Sequence, residues 1–155
     1  MKKVVLSIVI ILMIVSCKKE NGKVQVEYFD NGQIKKEFVC KDGKKILLRE
    51  YTYYNNGQTK IEDIYKNGNL FLEIKYNKES TINVIAYVND NKLNGYGYGF
   101  FDDGNLNYLS KYVNDKREGL GYVFLPNDDD NELGAAINYK NGEQFSKKRI
   151  ILREW

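Results

Sequence analysis

The chain has 155 residues, which is enough for one domain and short for two. Its 24 basic and 21 acidic residues nearly cancel, and this balance argues against nucleic acid as a partner. The absence of histidine excludes nucleophilic sites of the Ser-His or Cys-His type and zinc sites with histidine ligands.

Residues 1–16 are predicted to be a signal peptide helix that does not belong to the fold. Lys2 and Lys3 precede an apolar run from Val4 to Val15 that only Ser7 interrupts. A basic start and about a dozen apolar residues match a signal peptide and are short for a membrane span. Residues 14–17 (Ile-Val-Ser-Cys) resemble the lipobox of bacterial lipoproteins. The resemblance implies cleavage before Cys17 and lipidation of that residue; the alternative is an ordinary secreted protein that begins with a thiol.

Residues 17–23 are predicted to be a polar tether, and residues 24–155 the folded domain. Two or three acyl chains would hold the protein at a membrane essentially permanently. Lys18 stands where lipoproteins retained at the inner membrane have Asp, so the resemblance implies the outer membrane of a double-membraned bacterium. If Cys17 is acylated, Cys40 is the only thiol left. We then expect Cys40 to be a small apolar residue on the inner face of a strand, without an intrachain disulfide.

A repeat begins where the tether ends. The segment from Glu27 to Tyr51 matches the segment from Thr52 to Tyr76 at an offset of 25 residues, with ten identities and no gap. Such a fixed period is the mark of a repeat architecture. The identical pairs are Tyr28/Tyr53, Asn31/Asn56, Gly32/Gly57, Gln33/Gln58, Lys35/Lys60, Glu37/Glu62, Lys41/Lys66, Gly43/Gly68, Leu47/Leu72 and Tyr51/Tyr76.

Each unit contains two turn signals. They are Asn-Gly or Asp-Gly dipeptides, at 31–32 and 42–43 in the first unit and at 56–57 and 67–68 in the second. These dipeptides tolerate the positive φ that both central residues of a type I′ turn require, so we expect them to join antiparallel strands. The residues between the turns alternate, mostly with the period of a sheet that has one wet face. One unit is therefore predicted to be two short strands and two turns.

The repeat loosens after residue 77 but persists. Residues 87–90 (Tyr-Val-Asn-Asp) recur at 112–115, and Asp103-Gly104 and Asn141-Gly142 are further turn signals. Residues 79–86 lack a glycine turn, which leaves the repeat count open there. Residues 126–131 form a longer acidic loop. We interpret it as solvated, because it lacks the glycine and glutamate of an EF-hand calcium loop.

A glycine pattern distinguishes the stretch from Gly95 to Phe100. Gly95, Gly97 and Gly99 share one face of the predicted strand, which lets a neighbouring aromatic ring lie flat on the backbone. Gly119 and Gly121 are expected to repeat this device. The aromatic side chains opposite the glycines are either the core of a thin sheet or an exposed stripe that binds a protein or glycan. In the second interpretation, the partner-binding residues are Tyr96, Tyr98, Phe100, Tyr112 and Tyr122.

The Tyr-x-Asn-Gly pattern and the run Gly119-Leu120-Gly121-Tyr122 resemble MORN repeats. They are most similar to the variant found in bacterial YwqK-type proteins, over roughly residues 24–145. The resemblance implies a single sheet of β-hairpins that serves as a scaffold. It also implies two narrower roles, as an antitoxin component and as a protein that binds phospholipid headgroups.

We therefore predict an all-β antiparallel meander of about ten or more short strands. Residues 147–155, basic and ending in Trp155, are interpreted as an edge strand in preference to a contact with anionic headgroups. No serine-nucleophile or phosphate-binding motif is present, so we predict no catalytic residue, metal or cofactor. The predicted function is a non-enzymatic envelope lipoprotein whose sheet binds a protein partner. The alternatives are an immunity-type protein that neutralises a toxin and a protein that binds phospholipid headgroups.

Overall fold

A computed structural model describes residues 22–126 and 132–149. The predicted signal peptide, Cys17 and most of the tether lie outside this range, as do residues 127–131 of the acidic loop and residues 150–155. The described residues form strands and turns, with no helix. No segment of them is therefore a helix able to cross a bilayer.

Twelve strands follow one another along the described part of the chain. They are β1 (Val24–Tyr28), β2 (Ile34–Lys41), β3 (Lys44–Tyr53), β4 (Thr59–Lys66), β5 (Asn69–Tyr76), β6 (Ile82–Asn89), β7 (Lys92–Phe100), β8 (Leu106–Val113), β9 (Lys116–Arg117), β10 (Gly119–Leu125), β11 (Glu132–Lys140) and β12 (Glu143–Arg149).

The strands form one antiparallel sheet in meander order, with the short β9 paired beside β8. In the described residues no helix and no second sheet covers either face. The prediction of an all-β antiparallel meander is confirmed. The predicted edge strand is confirmed for residues 147–149, which belong to β12 at the end of the sheet.

Two-residue turns join the strands at one end. Both central residues of each turn have positive φ, between 49° and 89°, as a type I′ turn requires. These turns are Asp42-Gly43, Asn67-Gly68, Asp90-Asn91, Asn114-Asp115 and Asn141-Gly142. The type I′ turns predicted at 42–43 and 67–68 are confirmed, and two further turns of this kind form without any glycine.

Five-residue turns join the strands at the other end, over residues 29–33, 54–58, 77–81 and 101–105. The first N–H of each turn donates to the carbonyl of the fifth residue at 2.8–2.9 Å. Only the fourth residue has positive φ, so the type I′ turns predicted at 31–32 and 56–57 are wrong. The reason is an Asx turn, because Oδ1 of Asn31 accepts the N–H of Gln33 at 3.1 Å and Asn56 repeats this bond.

The third of these turns, over residues 77–81, lies where the sequence shows no glycine turn and leaves the repeat count open. Ser80 stands where the other turns have glycine and adopts the left-handed conformation, with φ of 69°. Its hydroxyl donates to Oε1 of Gln58 in the preceding turn. Oδ1 of Asn77 accepts the N–H groups of Glu79 and Thr81, which replaces the Asx turn of the other units. The repeat is therefore continuous through this segment.

The buried part of the sheet lies in its C-terminal half. Of the six buried hydrophobic residues in the described part of the chain, five belong to β6 and β11, and the sixth is Cys40 in β2. Small residues make this burial possible, because rings from neighbouring strands cover them. A Cβ atom on Gly97 would lie 2.8 Å from the Tyr112 ring, and one on Gly99 would overlap the Tyr108 ring. The ring-on-glycine packing predicted from the sequence is confirmed at these two positions.

Gly121 repeats the packing and Gly119 does not. A Cβ atom on Gly121 would lie 2.9 Å from Oγ of Ser110 and 3.1 Å from the Tyr139 ring. Gly119 has open space around it and φ of 75°, so its role is a backbone conformation that other residues rarely adopt. The expectation that Gly119 also seats a ring is wrong, because the short β9 interrupts the pairing just before this residue.

Arg117 joins the rings on this face. Its guanidinium carbon lies 5.6 Å from the centroid of the Tyr108 ring and 5.2 Å from that of Tyr139. Its Nε donates to the Tyr112 hydroxyl and its Nη1 to the Tyr139 hydroxyl, both at 3.2 Å. Three rings on two strands are therefore held by one cation.

Polar contacts, rather than rings packed on glycines, join the strands of the N-terminal half. Arg49 in β3 reaches Glu37 in β2 at 3.4 Å and Glu62 in β4 at 3.2 Å. Tyr51 donates to Glu37 at 3.5 Å, and one repeat later Tyr76 donates to Glu62 at 2.9 Å. The identical pairs Glu37/Glu62 and Tyr51/Tyr76 therefore form the same tyrosine–glutamate hydrogen bond in both repeats.

We expect Gly99→Ala to lower the free energy of unfolding by about 3 kcal/mol, because the added methyl group must displace the Tyr108 ring. In a Tyr108→Ala background the same change should cost less than about 1 kcal/mol, since the ring is gone. Urea unfolding followed by circular dichroism measures both values. Additive costs in the double variant would contradict the packing described here.

Candidate functional site

A groove on the sheet surface collects the aromatic side chains of β7 and β10. We call the face with Gly97, Gly99 and Gly121 the glycine face and the opposite one the groove face. Tyr98 pairs with Leu109, and Leu109 pairs with Tyr122, so the three side chains form a row across β7, β8 and β10. Tyr96 pairs with Lys111 in the next row.

The groove has a volume of about 380 Å³. Glu118, Gly119 and Leu120 line it together with the two rows. Tyr96 is 50% exposed and Leu120 45% exposed, although both are large and carry apolar surface. Lys111 and Glu118 place one charge of each sign at the groove, so it is an apolar strip with a polar rim. Such a surface is typical of binding to another molecule.

The structure brings together three of the five predicted partner-binding residues. Tyr96, Tyr98 and Tyr122 line the groove. Tyr112 lies on the glycine face, since it pairs with Gly95 while its neighbour Lys111 pairs with Tyr96. Phe100 is the last residue of β7, where the register shifts, and it does not line the groove.

Sequence reasoning missed Leu109, Lys111 and Glu118. Leu109 and Lys111 belong to β8, and they reach the groove only because the β7–β8 register sets them beside Tyr98 and Tyr96. The alternation of side chains along β8, counted back from the turn at Asn114-Asp115, would have placed both residues on the same face of the strand. Glu118 lies between β9 and β10, and no local pattern points to it.

The hydroxyl groups separate the groove tyrosines from most others. Of the 13 tyrosines, seven have a hydroxyl that is hydrogen-bonded within the described residues. In that part of the chain, Tyr96, Tyr98 and Tyr122 make no such bond. The seven bonded ones are Tyr51, Tyr53, Tyr54, Tyr65, Tyr76, Tyr112 and Tyr139. The groove therefore offers hydrogen-bonding groups that the fold itself leaves unused.

A second concave surface, at the five-residue turns of the N-terminal half, differs in this respect. Its volume is about 570 Å³, and Phe29, Tyr53 and Tyr54 contribute to its lining. The Tyr53 hydroxyl donates to the Ile34 carbonyl and the Tyr54 hydroxyl to the Tyr76 carbonyl, both at 2.8 Å. These polar groups already hold one repeat against the next, so we do not assign a binding site here.

Burial raises the pKa of several groups in the N-terminal half, among them Tyr76 and Asp63. Burial, followed by the hydrogen bond to Glu62, raises the pKa of Tyr76 to about 12. Asp63 lies between Glu50 and Glu73 on adjacent strands. Burial, followed by repulsion from Glu73 and Glu50, raises the pKa of Asp63. Its Oδ1 is buried and has no hydrogen-bond partner.

In residues 22–126 and 132–149, no group of three or more cysteine, aspartate or glutamate side chains is arranged to hold a metal ion. Most of the acidic loop lies outside these ranges.

The burial of Cys40 agrees with the sequence interpretation, whereas its covalent bonding does not. Its side chain is fully buried, with 0% exposure, as expected for the inner face of a strand. The structure has Cys40 in a disulfide, whereas no intrachain disulfide was expected. The only other cysteine of the sequence is Cys17, which lies outside the described residues.

No protein-family model matches the chain, and no curated protein shows significant sequence similarity to it. The resemblance to MORN repeats therefore stays a prediction from the residues quoted above.

We expect Asp63→Asn to stabilise the protein at neutral pH. A carboxyl group with a raised folded pKa favours the protonated form, so stability falls as the pH rises from the unfolded value, 3.8, through the folded one. Asparagine removes this penalty, and its advantage should disappear below pH 3.8. Thermal unfolding between pH 3 and pH 8 measures the difference, with exposed Asp30→Asn as the control. An advantage for Asp63→Asn that persists at low pH would contradict the assignment.

Proposed function

We propose that this chain is a non-enzymatic envelope lipoprotein whose sheet binds another protein through the groove on β7, β8 and β10. The observation that carries the proposal is the set of groove tyrosines, whose rings are partly exposed and whose hydroxyls make no bond in the described residues. Tyrosine offers a large contact area at a low cost in side-chain entropy, and its hydroxyl adds a directional hydrogen bond.

The packing of the sheet supports a rigid site. Tyr98, Leu109 and Tyr122 lie on three hydrogen-bonded strands rather than on loops. On the opposite face the rings of Tyr108 and Tyr112 lie against Gly99 and Gly97 of the strand that carries Tyr96 and Tyr98. The groove tyrosines are therefore held in place before any partner arrives, which lowers the entropy lost on binding.

The proposed location in the cell envelope rests on the sequence around residue 17. The lipobox-like residues 14–17 and the basic, apolar segment before them favour an acyl anchor at Cys17.

Mass spectrometry of the chain extracted from bacterial envelopes tests the anchor. We expect a mature form that begins at Cys17 and carries the added mass of two or three acyl chains, because the resemblance of residues 14–17 to a lipobox implies cleavage before Cys17 and acylation of that residue. A Cys17→Ala variant should lose this mass and leave the membrane fraction. An extracted wild-type chain without lipid and with its disulfide intact would contradict the anchor.

Affinity capture from envelope extracts tests the groove. We expect Tyr98→Ser and Tyr122→Ser each to lower recovery of the partner at least about tenfold, since truncated aromatic anchors cost about 2 kcal/mol or more. Tyr28→Ser is the matched control, because Tyr28 is 60% exposed and lies in β1, far from the groove. Circular dichroism must show that all three variants keep the strand content.

Two outcomes would count against the groove. One is recovery of the same partner by both groove variants at the wild-type level. The other is an equal loss in Tyr28→Ser, which would indicate that exposed tyrosines bind without regard to position.

A further inference from the structure

The last strand of the sheet has an open side. β12 pairs with β11 along one side, and in the described part of the chain no strand pairs with its other side. All seven residues of β12 are exposed, and Phe145 is 67% exposed. An open edge carries unpaired backbone N–H and C=O groups, so it is a template for another strand.

The charge on this edge is mostly positive. Lys147, Lys148 and Arg149 follow one another, and Glu143 is the only acid of the strand. The three bases pair with Ile137, Ala136 and Ala135 of β11, so they project alternately on both faces. Every ion pair of the described residues lies between Glu27 and Lys75, which leaves these bases without a carboxylate partner in that part of the chain.

A concave corner adjoins the start of the strand. Its volume is about 390 Å³, and it lies between the turn at Asn141-Gly142 and β9. Lys116, Lys140, Glu143 and Phe145 line it. The Phe145 ring beside two lysines and one glutamate gives the edge a place where an apolar side chain can pack.

These charges disfavour a second copy of the chain at this edge. Two β12 strands side by side would bring six bases to one seam with two acids, and lysine on an edge is a device against such self-pairing. The same bases attract a strand that carries carboxylates, since cross-strand pairs of opposite charge are favourable. Strand addition to a free edge is an established mode of peptide recognition.

We propose that the outer edge of β12 binds an extended acidic segment of another protein, which adds to the sheet as a further strand. Backbone hydrogen bonds to β12 hold the segment. Its carboxylates face Lys147, Lys148 and Arg149, and one of its apolar side chains packs on Phe145. This surface is separate from the groove, so the proposal stands or fails independently of the proposed function.

The test uses the full chain and a fluorescent nine-residue peptide with three consecutive glutamates at its centre and valines on both sides, because the three bases project on both faces of the strand. Fluorescence anisotropy should show saturable binding that weakens as salt is added, because the charge contacts are exposed. A peptide of equal charge, N-methylated at its two central residues, should bind at least about fivefold more weakly, since the edge that pairs with β12 loses one donor worth about 1 kcal/mol.

Two triple variants of the chain separate the edge from net charge. Reversal of the edge bases (Lys147→Glu, Lys148→Glu, Arg149→Glu) should weaken binding at least about tenfold, at roughly 0.5 kcal/mol or more for each exposed pair. The control makes the same change in net charge at exposed lysines elsewhere (Lys41→Glu, Lys78→Glu, Lys92→Glu) and should weaken binding less than about threefold.

Three results would overturn the proposal. The first is equal binding of the N-methylated peptide, which would mean attraction without strand addition. The second is an equal loss in both triple variants. The third is a dimer of the chain in sedimentation that the edge variant abolishes, which would place a second copy at β12.

Discussion

The constraint on which this structure depends is that a one-layer sheet has nothing to pack against. In the described residues neither face is covered by another element, so side chains can be buried only by their neighbours in the sheet. Two chemical solutions occur along one chain. The first repeats use hydrogen bonds and ion pairs between strands, and the later strands use rings laid over residues without side chains.

The two solutions have different consequences for the surface. In the N-terminal half, tyrosine hydroxyls and carboxylates bind one another, so the polar groups there are already committed to holding the repeats together. In the C-terminal half, the glycines of β7 receive rings from β8 on one face and leave the tyrosines of β7 on the other. The groove is thus a by-product of how the sheet is stabilised.

Hydrogen bonds between successive five-residue turns hold neighbouring repeats at a fixed spacing. Side chains of one turn bond to the next turn, as Gln33 Nε2 does to the Gly57 carbonyl at 2.8 Å and Asn77 Nδ2 to Asp102 at 3.1 Å. Such ladders fix the spacing between units. In the described part of the chain the array ends at β12, where three consecutive bases have no carboxylate partner among those residues.

Short-range sequence patterns predict much of the fold. The 25-residue period, the positive-φ turns at 42–43 and 67–68, and the alternation that puts Gly97 and Gly99 opposite Tyr96 and Tyr98 follow from short-range rules. These rules were enough for the all-β meander and for three of the groove residues. They failed at Asn31-Gly32, where an Asx hydrogen bond selects a longer turn, and at Gly119, where the interruption of β9 intervenes.

The rest was decided by the pairing between strands. Which ring covers which glycine, why Tyr112 lies on the glycine face and why Lys111 belongs to the groove all depend on the β7–β8 register. A shift of one residue would move each of these side chains to the other face, and the register depends on the five-residue turn at 101–105, whose length the dipeptide Asp103-Gly104 does not reveal. The sequence by itself therefore determined the strands, the turns and their period, whereas only the tertiary structure decided which side chains meet.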